Sequence, residues 1–376
     1  MPITRVSDLA DKAQCPLLVI KVGSALLVGR DGVRREWLAG LVAEIAGVRA
    51  RAQQVIVVSS GAIALGAATL RLEKGGRGSL ADAQAAAAVG QIALSGLWAD
   101  LLGSHGLTAA QILLTLEDLE DRRRYLNVTA TLTRLLDAGA VPVINENDSV
   151  ATNEIRFGDN DRLAARVAQA AQASAVLLLS DIDGLYDRHP KEPGARMIPV
   201  VEGVTPEVHA MASAESNSGL GSGGMVSKLQ AAEIAELAGI SLVIANGQHD
   251  RPIARVTEQG IGTLFLPRRK AGARKAWLGG RLRLKGSLVV DPGAAAALLR
   301  GSSLLAKGIT AVEGVFERGD PVAIIDAEGR VLAHGLSEYD AAECAAITGL
   351  HSTEQAAVLG YAPRSSVVHR DQMVLK

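Results

Sequence analysis

The sequence has few cysteines, almost no excess of charge and no long uninterrupted apolar run, and each shortage excludes a class of protein. Only two of the 376 residues are cysteines, Cys15 and Cys344, and neither has CxxC or Cys/His spacing. This argues against a disulfide framework and a zinc site. A net charge of −1 with both signs mixed gives no global attraction to nucleic acid or to anionic membranes. Asp8 and Asp11 stand where a signal peptide needs its apolar stretch, so we expect a cytoplasmic protein.

The closest approach to a membrane span is the alanine-rich run ADAQAAAAVGQIALSGLW. Asp82, Gln84 and Gln91 interrupt it, and it falls short of the about 18 uninterrupted apolar residues that a span needs. We therefore predict a buried helix of a soluble protein and no membrane segment.

Five short apolar runs predict strands that are buried on both faces: CPLLVIKVG, QVIVVSSG, VPVINEND, AVLLLSD and ISLVIANG. Segments with helical periodicity separate them. This alternation predicts an α/β fold, an open αβα sandwich with a mostly parallel sheet. Ligands of such folds bind at the carboxyl ends of the strands, and polar residues follow each run there.

The character of the sequence changes after TLFLPRRK. The stretch PRRKAGARK has no apolar period and predicts a linker. The turn-rich sequence beyond it, with two strands joined around AEG, predicts a small, mainly β module. We place an N-terminal domain at residues 1–268, the linker at 269–281, and the second domain with its tail at 282–376.

The glycine-rich stretch GSGGMVSK, residues 221–228, is either a hinge or a wall that holds phosphate. It precedes the helical pattern LQAAEIAELAG, and a helix N-terminus favours anions. It does not fit GxxxxGK[ST], which excludes a P-loop enzyme. Lys21, at the exit of the first strand, is either a cation for a phosphoryl group or a lysine that reaches to solvent.

The most specific polar clusters are VPVINENDSV and FGDNDRLAARVA. They place Asn145, Glu146, Asn147 and Asp148 after one strand, and Asp159, Asn160 and Asp161 at a helix start. Amides and carboxylates of this kind can bind an amino acid. Helix capping is the alternative for Asp159 and Asn160, as it is for Ser59 and Ser60 in SSGAIALG. Turn chemistry is the alternative for Ser180 and Asp181 in LLLSDIDGLYD.

No histidine, cysteine or serine has the partners of a nucleophilic triad, so hydrolysis through a covalent intermediate is poorly motivated. Two lysines, Lys21 and Lys228, instead stand beside glycine-rich anion sites, with hydroxyls, amides and carboxylates between them. This combination suits direct phosphoryl transfer, in which the protein positions the reactants and neutralises charge.

From about Leu17 to its end, the chain resembles the glutamate 5-kinases of the amino acid kinase family, in the long form with a C-terminal PUA domain. The segments that carry the resemblance are VVSSGAIALG, VPVINENDSVATNEIRFGDNDRLAA, LLLSDIDGLYD, SGLGSGGMVSKLQAA, RGSSLLAKGI and VHRDQM. It implies phosphorylation of the L-glutamate γ-carboxylate by ATP with Mg²⁺, giving L-glutamyl 5-phosphate in the first step of proline biosynthesis. It further implies inhibition by proline, and we expect a homo-oligomer, a dimer or tetramer.

The resemblance also implies roles for individual residues. Lys21 and Lys228 would stabilise the transferring phosphoryl group, and Asp161, with Asp159 nearby, would orient the lysines. Glutamate would be bound by Ser60, Asp148 and Asn160, with Gly61 and Asn145 as neighbours. The ATP site would contain Lys21, Ser180, Asp181, Ser222, Gly223, Gly224, Met225, Val226, Ser227 and Lys228. No residue is assigned to a metal.

Three other functions compete with this one. A related kinase could act on aspartate, N-acetylglutamate or carbamate. An RNA-binding protein is less favoured, because the net charge is near zero and the C-terminal module has no evident aromatic stacking pattern. A regulatory subunit without chemistry is disfavoured by the presence of both lysines.

Overall fold

The computed structural model describes residues 2–29, 32–150, 159–216, 224–267 and 284–375. The chain divides into two compact units. The N-terminal unit comprises Met1–Glu120 and Asn127–Arg269, and the C-terminal unit comprises Asp121–Leu126 and Lys270–Lys376. The linker predicted at 269–281 lies outside the described residues, and the predicted domain boundaries stay a prediction.

An eight-stranded sheet forms the centre of the N-terminal unit, in the order β5-β6-β4-β1-β7-β9-β10-β8. The pairs among β5, β6, β4, β1, β7 and β9 are parallel, whereas β10 runs antiparallel to β9. The strands, which include a small separate hairpin of β2 and β3, are β1 Leu17–Val22, β2 Val28–Gly29, β3 Gly32–Val33, β4 Gln54–Ser59, β5 Ala109–Leu114, β6 Val141–Glu146, β7 Ala175–Ser180, β8 Val200–Glu202, β9 Ser241–Asn246 and β10 Thr263–Leu266.

All five strands predicted from apolar runs are confirmed as β1, β4, β6, β7 and β9. Every residue of β1 and β7 is buried, as expected for strands covered on both faces. The apolar runs did not predict β5, β8 and β10, which lie toward the edges of the sheet. β5 is mostly half-buried and exposes Gln111, so its sequence lacks a continuous apolar run.

The helices up to residue 267 are α1 Ser24–Leu27, α2 Arg35–Ala50, α3 Ala62–Leu70, α4 Leu80–Gly103, α5 Leu116–Glu120, α6 Arg122–Asp137, α7 Asp159–Ala171, α8 Pro206–Ser216, α9 Gly224–Ala238 and α10 Pro252–Gln259. The helical segments predicted from the sequence correspond to α2, α4, α6, α7 and α9. The first turns of α3, α7 and α9 matter most, because they contain the candidate site residues.

Two glycines bring α3 and α4 into direct backbone contact. A Cβ atom on Gly66 would lie 1.8 Å from the Ala86 carbonyl oxygen, and one on Gly90 would lie 1.8 Å from the Ala62 carbonyl oxygen. No side chain fits such a contact, so glycine is required at both positions. The close crossing holds α4 beside the turn between β4 and α3.

α4 is the one helix of the described residues that is long and apolar enough to cross a membrane, by length and composition alone. Its buried face includes Leu94, Trp98 and Leu102, which pack into the core of the N-terminal unit. Its outer face is exposed at Ile92. One face of this apolar helix therefore packs into the core of the N-terminal unit.

The C-terminal unit is built on a five-stranded sheet in the order β12-β11-β13-β14-β15. Its strands are β11 Gly286–Val290, β12 Ile309–Gly314, β13 Pro321–Ile325, β14 Val331–Leu336 and β15 Met373–Leu375, and its helices are α11 Pro292–Leu299, α12 Ala341–Ile347 and α13 Ser352–Leu359. The hairpin predicted around AEG is confirmed, because β13 pairs antiparallel with β14. Leu288, Ile324, Tyr339 and Cys344 belong to its own apolar core.

Candidate active site

The candidate site lies at the carboxyl edge of the parallel strands in the N-terminal unit. β1 is central, paired with β4 on one side and β7 on the other, so that Lys21 stands level with Val58 and Leu178. From β1 the chain continues to β4 on one side and later to β7 on the other. The reversal of strand order at β1 opens the crevice where such sheets bind ligands.

A buried carboxylate bridges the two lysines that the sequence singles out. Lys21 Nζ lies 2.6 Å from Asp161 Oδ1, and Lys228 Nζ lies 3.0 Å from Asp161 Oδ2. The exposed fractions are 1% for Asp161, 7% for Lys21 and 8% for Lys228. Lys228 Nζ also donates to the Gly224 carbonyl in the first turn of α9. Residues from β1, α7 and α9 thus form one ion triad.

The triad carries a net positive charge, because two ammonium groups share one carboxylate. Burial alone would raise the pKa of Asp161, but the charges of Lys21 and Lys228 and their hydrogen bonds outweigh it, and its pKa lies below the ordinary value. Burial lowers the pKa of Lys21, partly opposed by Asp161, and Lys228 lowers it further. The remaining positive charge suits the oxygens of a phosphoryl group.

The first turn of α7 also contributes Asn160 to a cluster of two amides and a hydroxyl. Asn160 Nδ2 donates to Ser60 Oγ at 2.9 Å and to Asn145 Oδ1 at 3.1 Å. Asn160 Oδ1 is buried and has no hydrogen-bond partner among the described residues. Asn160 and Asp161 are consecutive, so α7 places an amide cluster and an ion triad side by side.

Helix capping does not explain Ser59, Ser60 or Asn160. α3 has Gly61 as its N-cap, with a φ of 117° and no side-chain cap. Ser59 Oγ donates to the Ser60 carbonyl, and Asn160 lies inside α7 with its amide on Ser60 and Asn145. The N–H groups in the first turn of α3 therefore have no side-chain partner from the cap, and they can bind a carboxylate.

The remaining predicted acceptor and nucleotide residues lie along the same sheet edge where they are described. Asp148 is buried just beyond β6. Ser180 ends β7 and donates to Asp181 Oδ1 at 3.0 Å, and the Asp181 charge acts on Lys21. Met225, Val226 and Ser227 lie in the first turns of α9, which begins at Gly224. Ser222 and Gly223, and the side chain of Asp159, lie outside the described residues.

Gly184 is the glycine of the DG pair in LLLSDIDGLYD. Its φ is not positive. A Cβ atom there would lie 2.4 Å from Thr263 Oγ1, and this hydroxyl accepts a hydrogen bond from the Leu185 N–H. Glycine is needed here for a close approach between two segments and not for an unusual backbone angle.

The sequence patterns did not predict that α4 contributes to the site. Trp98 Nε1 donates to Ser59 Oγ at 2.9 Å, and Asn145 Nδ2 donates to Gln91 Oε1 at 2.9 Å. In the sequence, Gln91 was interpreted only as a polar residue that interrupts the alanine-rich run. A polar residue on the otherwise apolar face of a helix was the available signal, since such a group needs a partner when it is buried.

Within the described part of the chain, no group of three His, Cys, Asp or Glu side chains could hold a metal ion. Mg²⁺ in nucleotide sites keeps several waters and is held mainly by phosphate oxygens, with one or two carboxylates from the protein. The donor set at this sheet edge fits a cation that arrives with a nucleotide and not one in a dedicated protein cage.

Comparison with known proteins gives matches in both units. The model of the amino acid kinase family matches residues 16–246, and that of the PUA domain matches residues 286–359. The glutamate 5-kinase of Novosphingobium aromaticivorans is 72% identical over 376 residues, which is 100% of both chains. That of Sphingopyxis alaskensis is 63% identical, covering 98% of this chain and 100% of the relative. That of Zymomonas mobilis is 56% identical, covering 96% and 91%.

Proposed function

Because the chain belongs to the amino acid kinase family and, within it, to the glutamate 5-kinases, we propose that the sheet-edge site carries out the reaction of that group. The enzyme transfers the γ-phosphoryl group of ATP to the γ-carboxylate of L-glutamate. The products are ADP and L-glutamyl 5-phosphate, and the reaction is the first step of proline synthesis. The observation that carries the site assignment is the Lys21–Asp161–Lys228 triad beside the open acceptor of Asn160.

The chemical step needs no general base. The γ-carboxylate is ionised near neutral pH, so one of its oxygens attacks the γ-phosphorus directly. The bond from that phosphorus to the β,γ-bridging oxygen breaks, and ADP leaves with the electron pair. Lys21 and Lys228 face the charge on the transferring oxygens, and Asp161 keeps both ammonium groups in place.

The acceptor subsite offers hydrogen-bond acceptors to the α-ammonium group of glutamate and hydrogen-bond donors to its carboxylates. Asp148 and Asn160 Oδ1, which has no partner in the described part of the chain, can accept from the α-ammonium group. The Ser60 hydroxyl, which accepts from Asn160, can donate its proton to a carboxylate. The N–H groups after Gly61 at the start of α3 offer a second carboxylate site. Asn145 holds Asn160 in this orientation.

The nucleotide subsite contains Lys21, Ser180, Asp181 and the segment from Ser222 to Lys228. The first turn of α9 and the ammonium of Lys228 suit the phosphates of ATP. Mg²⁺, when bound with the nucleotide, supplies charge neutralisation at the β- and γ-phosphates.

The test is ADP release from purified protein with ATP and Mg²⁺, with hydroxylamine present to trap an acyl phosphate as the hydroxamate. L-glutamate is compared with L-aspartate, N-acetylglutamate and bicarbonate plus ammonia. We expect hydroxamate with L-glutamate alone. A different preferred acceptor would overturn the roles of Asp148 and Asn160, and no reaction with any acceptor would leave a binding protein without chemistry.

The matched variants for this test are Lys228→Ala and Lys12→Ala. Lys12 is exposed and lies before β1, away from the carboxyl edge of the sheet. We expect Lys228→Ala to lower kcat by about 10²- to 10³-fold, as removal of a group that stabilises transition-state charge does. Lys12→Ala should keep wild-type kinetics, and equal losses in both variants would contradict the role of Lys228.

We further propose that the enzyme is a cytoplasmic homo-oligomer, a dimer or tetramer. Free buried thiols at Cys15 and Cys344 support a reducing compartment. Light scattering should give a molar mass of two or four times the 39.0 kDa of the chain. A monomer at micromolar concentration would contradict the proposal.

Proline is proposed as an inhibitor that competes with glutamate, since it carries an ammonium and an α-carboxylate but no γ-carboxylate. Inhibition that a saturating glutamate concentration does not relieve would contradict this. RNA binding by the C-terminal unit stays the less favoured proposal, supported only by the PUA match. Titration of labelled RNA with the full chain tests it.

A further inference from the structure

A continuous chain of hydrogen bonds leads from the middle of α4 into the amide cluster. It begins at Ser95, passes through Gln91 and Asn145, and ends at Asn160. None of the steps above requires Gln91 or Ser95. The inference drawn from this relay deepens the proposed function and rests on it, because it concerns how that site recognises its acceptor.

The direction of the relay is fixed at Ser95. Its Oγ donates to the Gln91 backbone carbonyl at 2.7 Å, and a carbonyl oxygen can only accept. The hydroxyl proton is thereby used, so Ser95 Oγ accepts from Gln91 Nε2 at 3.1 Å. The amide nitrogen of Gln91 therefore faces Ser95, and Gln91 Oε1 must face Asn145.

The orientation passes from one amide to the next. Asn145 donates Nδ2 to Gln91 Oε1 at 2.9 Å, so its own oxygen faces Asn160. Asn160 then donates its amide protons to Asn145 Oδ1 and Ser60 Oγ. The atom left over is Asn160 Oδ1, which is buried and unpartnered among the described residues. With the opposite orientation at Gln91, the amide of Asn160 would instead present donors.

A buried acceptor without a partner is costly unless a ligand supplies a donor. L-glutamate has one group with N–H donors at neutral pH, its α-ammonium, because both carboxylates only accept. We propose that Gln91 and Ser95 are positioning residues that set the specificity of the acceptor subsite for the α-ammonium group, by holding Asn160 Oδ1 toward it.

The packing of α4 explains why its residues can do this with accuracy. Gly90, directly before Gln91, lies against the Ala62 backbone, and Trp98 is fully buried with its indole on Ser59. α4 is thus fixed on both sides of the Gln91–Ser95 pair. A relay mounted on a helix held in this way keeps its geometry when the subsite is empty.

The test compares Gln91→Met with the control Gln259→Met, in which an exposed glutamine at the end of α10 undergoes the same change. KM for L-glutamate, kcat, KM for ATP and the inhibition constant of glutarate are measured. Glutarate keeps both carboxylates but lacks the ammonium. For Gln91→Met we expect KM for glutamate to rise about tenfold, with kcat and KM for ATP within about threefold of wild type.

The decisive quantity is the preference for glutamate over glutarate, taken as the glutarate inhibition constant divided by KM for glutamate. It should fall about tenfold in Gln91→Met and stay unchanged in Gln259→Met. Gln91→Glu should retain the preference, because a carboxylate still accepts from Asn145. A merely structural role would weaken both ligands alike, so an unchanged preference in Gln91→Met would overturn the inference.

Ser95 supplies a second, independent pair. Ser95→Ala removes the anchor and should lower the preference, whereas Ser95→Thr keeps the hydroxyl and should retain it. If Gln91→Met does not fold, this pair decides, and equal preferences in the two Ser95 variants reject the relay. Absence of hydroxamate in the wild type would instead reject the proposed function, so the two failures are distinguishable.

Discussion

The two units of the chain bury charge in different ways. In the N-terminal unit, Lys21, Asp148, Asp161 and Lys228 are buried at one edge of the sheet, whereas the buried Asp8 accepts from Thr4 and Arg5 close by in the sequence. Among the described residues of the C-terminal unit, Asp326 is the buried charged residue. Its carboxylate accepts from the backbone N–H groups of a turn and from the side chain of Arg330 at 2.7 Å.

The difference lies in whether the local chain satisfies the buried group. Asp326 closes the turn between β13 and β14, where every partner is within four residues. The N-terminal unit instead leaves a net positive triad and an Asn160 oxygen that has no partner among the described residues. Groups left with unused charge or hydrogen-bonding capacity are costly to folding, so their clustering marks a site whose partners come with the substrate.

The largest expected effect is the slow alkylation of the two buried thiols. Each unit contains one of them in its apolar core, so the labelling reports on both units. Burial raises the pKa of Cys15 to about 12, and burial likewise raises the pKa of Cys344 to about 12. At pH 8 we expect alkylation of both to be at least about 10³-fold slower in the native protein than in the denatured chain, where the pKa is about 8.5. Pulsed alkylation and peptide mass spectrometry measure this.

The same labelling along a urea gradient reports each unit separately, Cys15 for the N-terminal unit and Cys344 for the C-terminal unit. Addition of ATP and glutamate should shift the Cys15 transition to higher urea, because ligands stabilise the state that binds them. Rapid labelling of either thiol without urea would contradict its burial.

The next largest effect concerns the carboxylate between the lysines. Asp161→Asn leaves two buried ammonium groups without their counterion, and we expect kcat to fall by about 10²- to 10³-fold and stability by about 3 kcal/mol. The matched variant Asp326→Asn should lower the stability of the C-terminal unit and leave kcat unchanged. Kinetics and urea unfolding test both, and a wild-type kcat in Asp161→Asn would remove the triad from the mechanism.

The effect of Asp161→Asn on stability also depends on pH in a defined direction. The pKa of Asp161 is depressed in the folded state, so its stabilising contribution is present above its ordinary pKa and is lost as the pH falls through the depressed value. The stability difference between wild type and Asp161→Asn should therefore shrink below about pH 4. Unfolding measured from pH 7 to pH 3 would show this, and a difference that grows toward acid would contradict it.

The smallest expected effect separates the helix contact from general helix propensity. Gly90→Ala pushes a Cβ atom into the Ala62 carbonyl and should cost about 1–3 kcal/mol while raising KM for glutamate. Gly96→Ala, in the same helix with nothing within 4 Å of the new atom, should stabilise by about 0.5–1 kcal/mol. Equal effects of the two changes on stability would show that the crossing tolerates a methyl group.

Much of the fold was predictable from the sequence because its signals are local. The apolar runs of β1 and β7 mark strands covered on both faces, and the glycines before α9 mark a helix start. The edge strand β5 was missed because half-burial leaves no continuous run. Capping of α3 by Ser59 or Ser60 was an open alternative that the structure does not bear out, because Gly61 is the N-cap and no side chain makes a cap hydrogen bond.

The sequence by itself determined which side chains stand at the ends of the parallel strands, because strand order along the chain and apolar patterning are local properties. Only the tertiary structure decided which of them meet. Asn145 and Gln91 are 54 residues apart, and Asn160 and Ser60 are 100 apart. The orientation of an amide depends on the partners at both of its ends. At such separations those partners are set by packing, here by a glycine contact between α3 and α4, and not by any pattern along the chain.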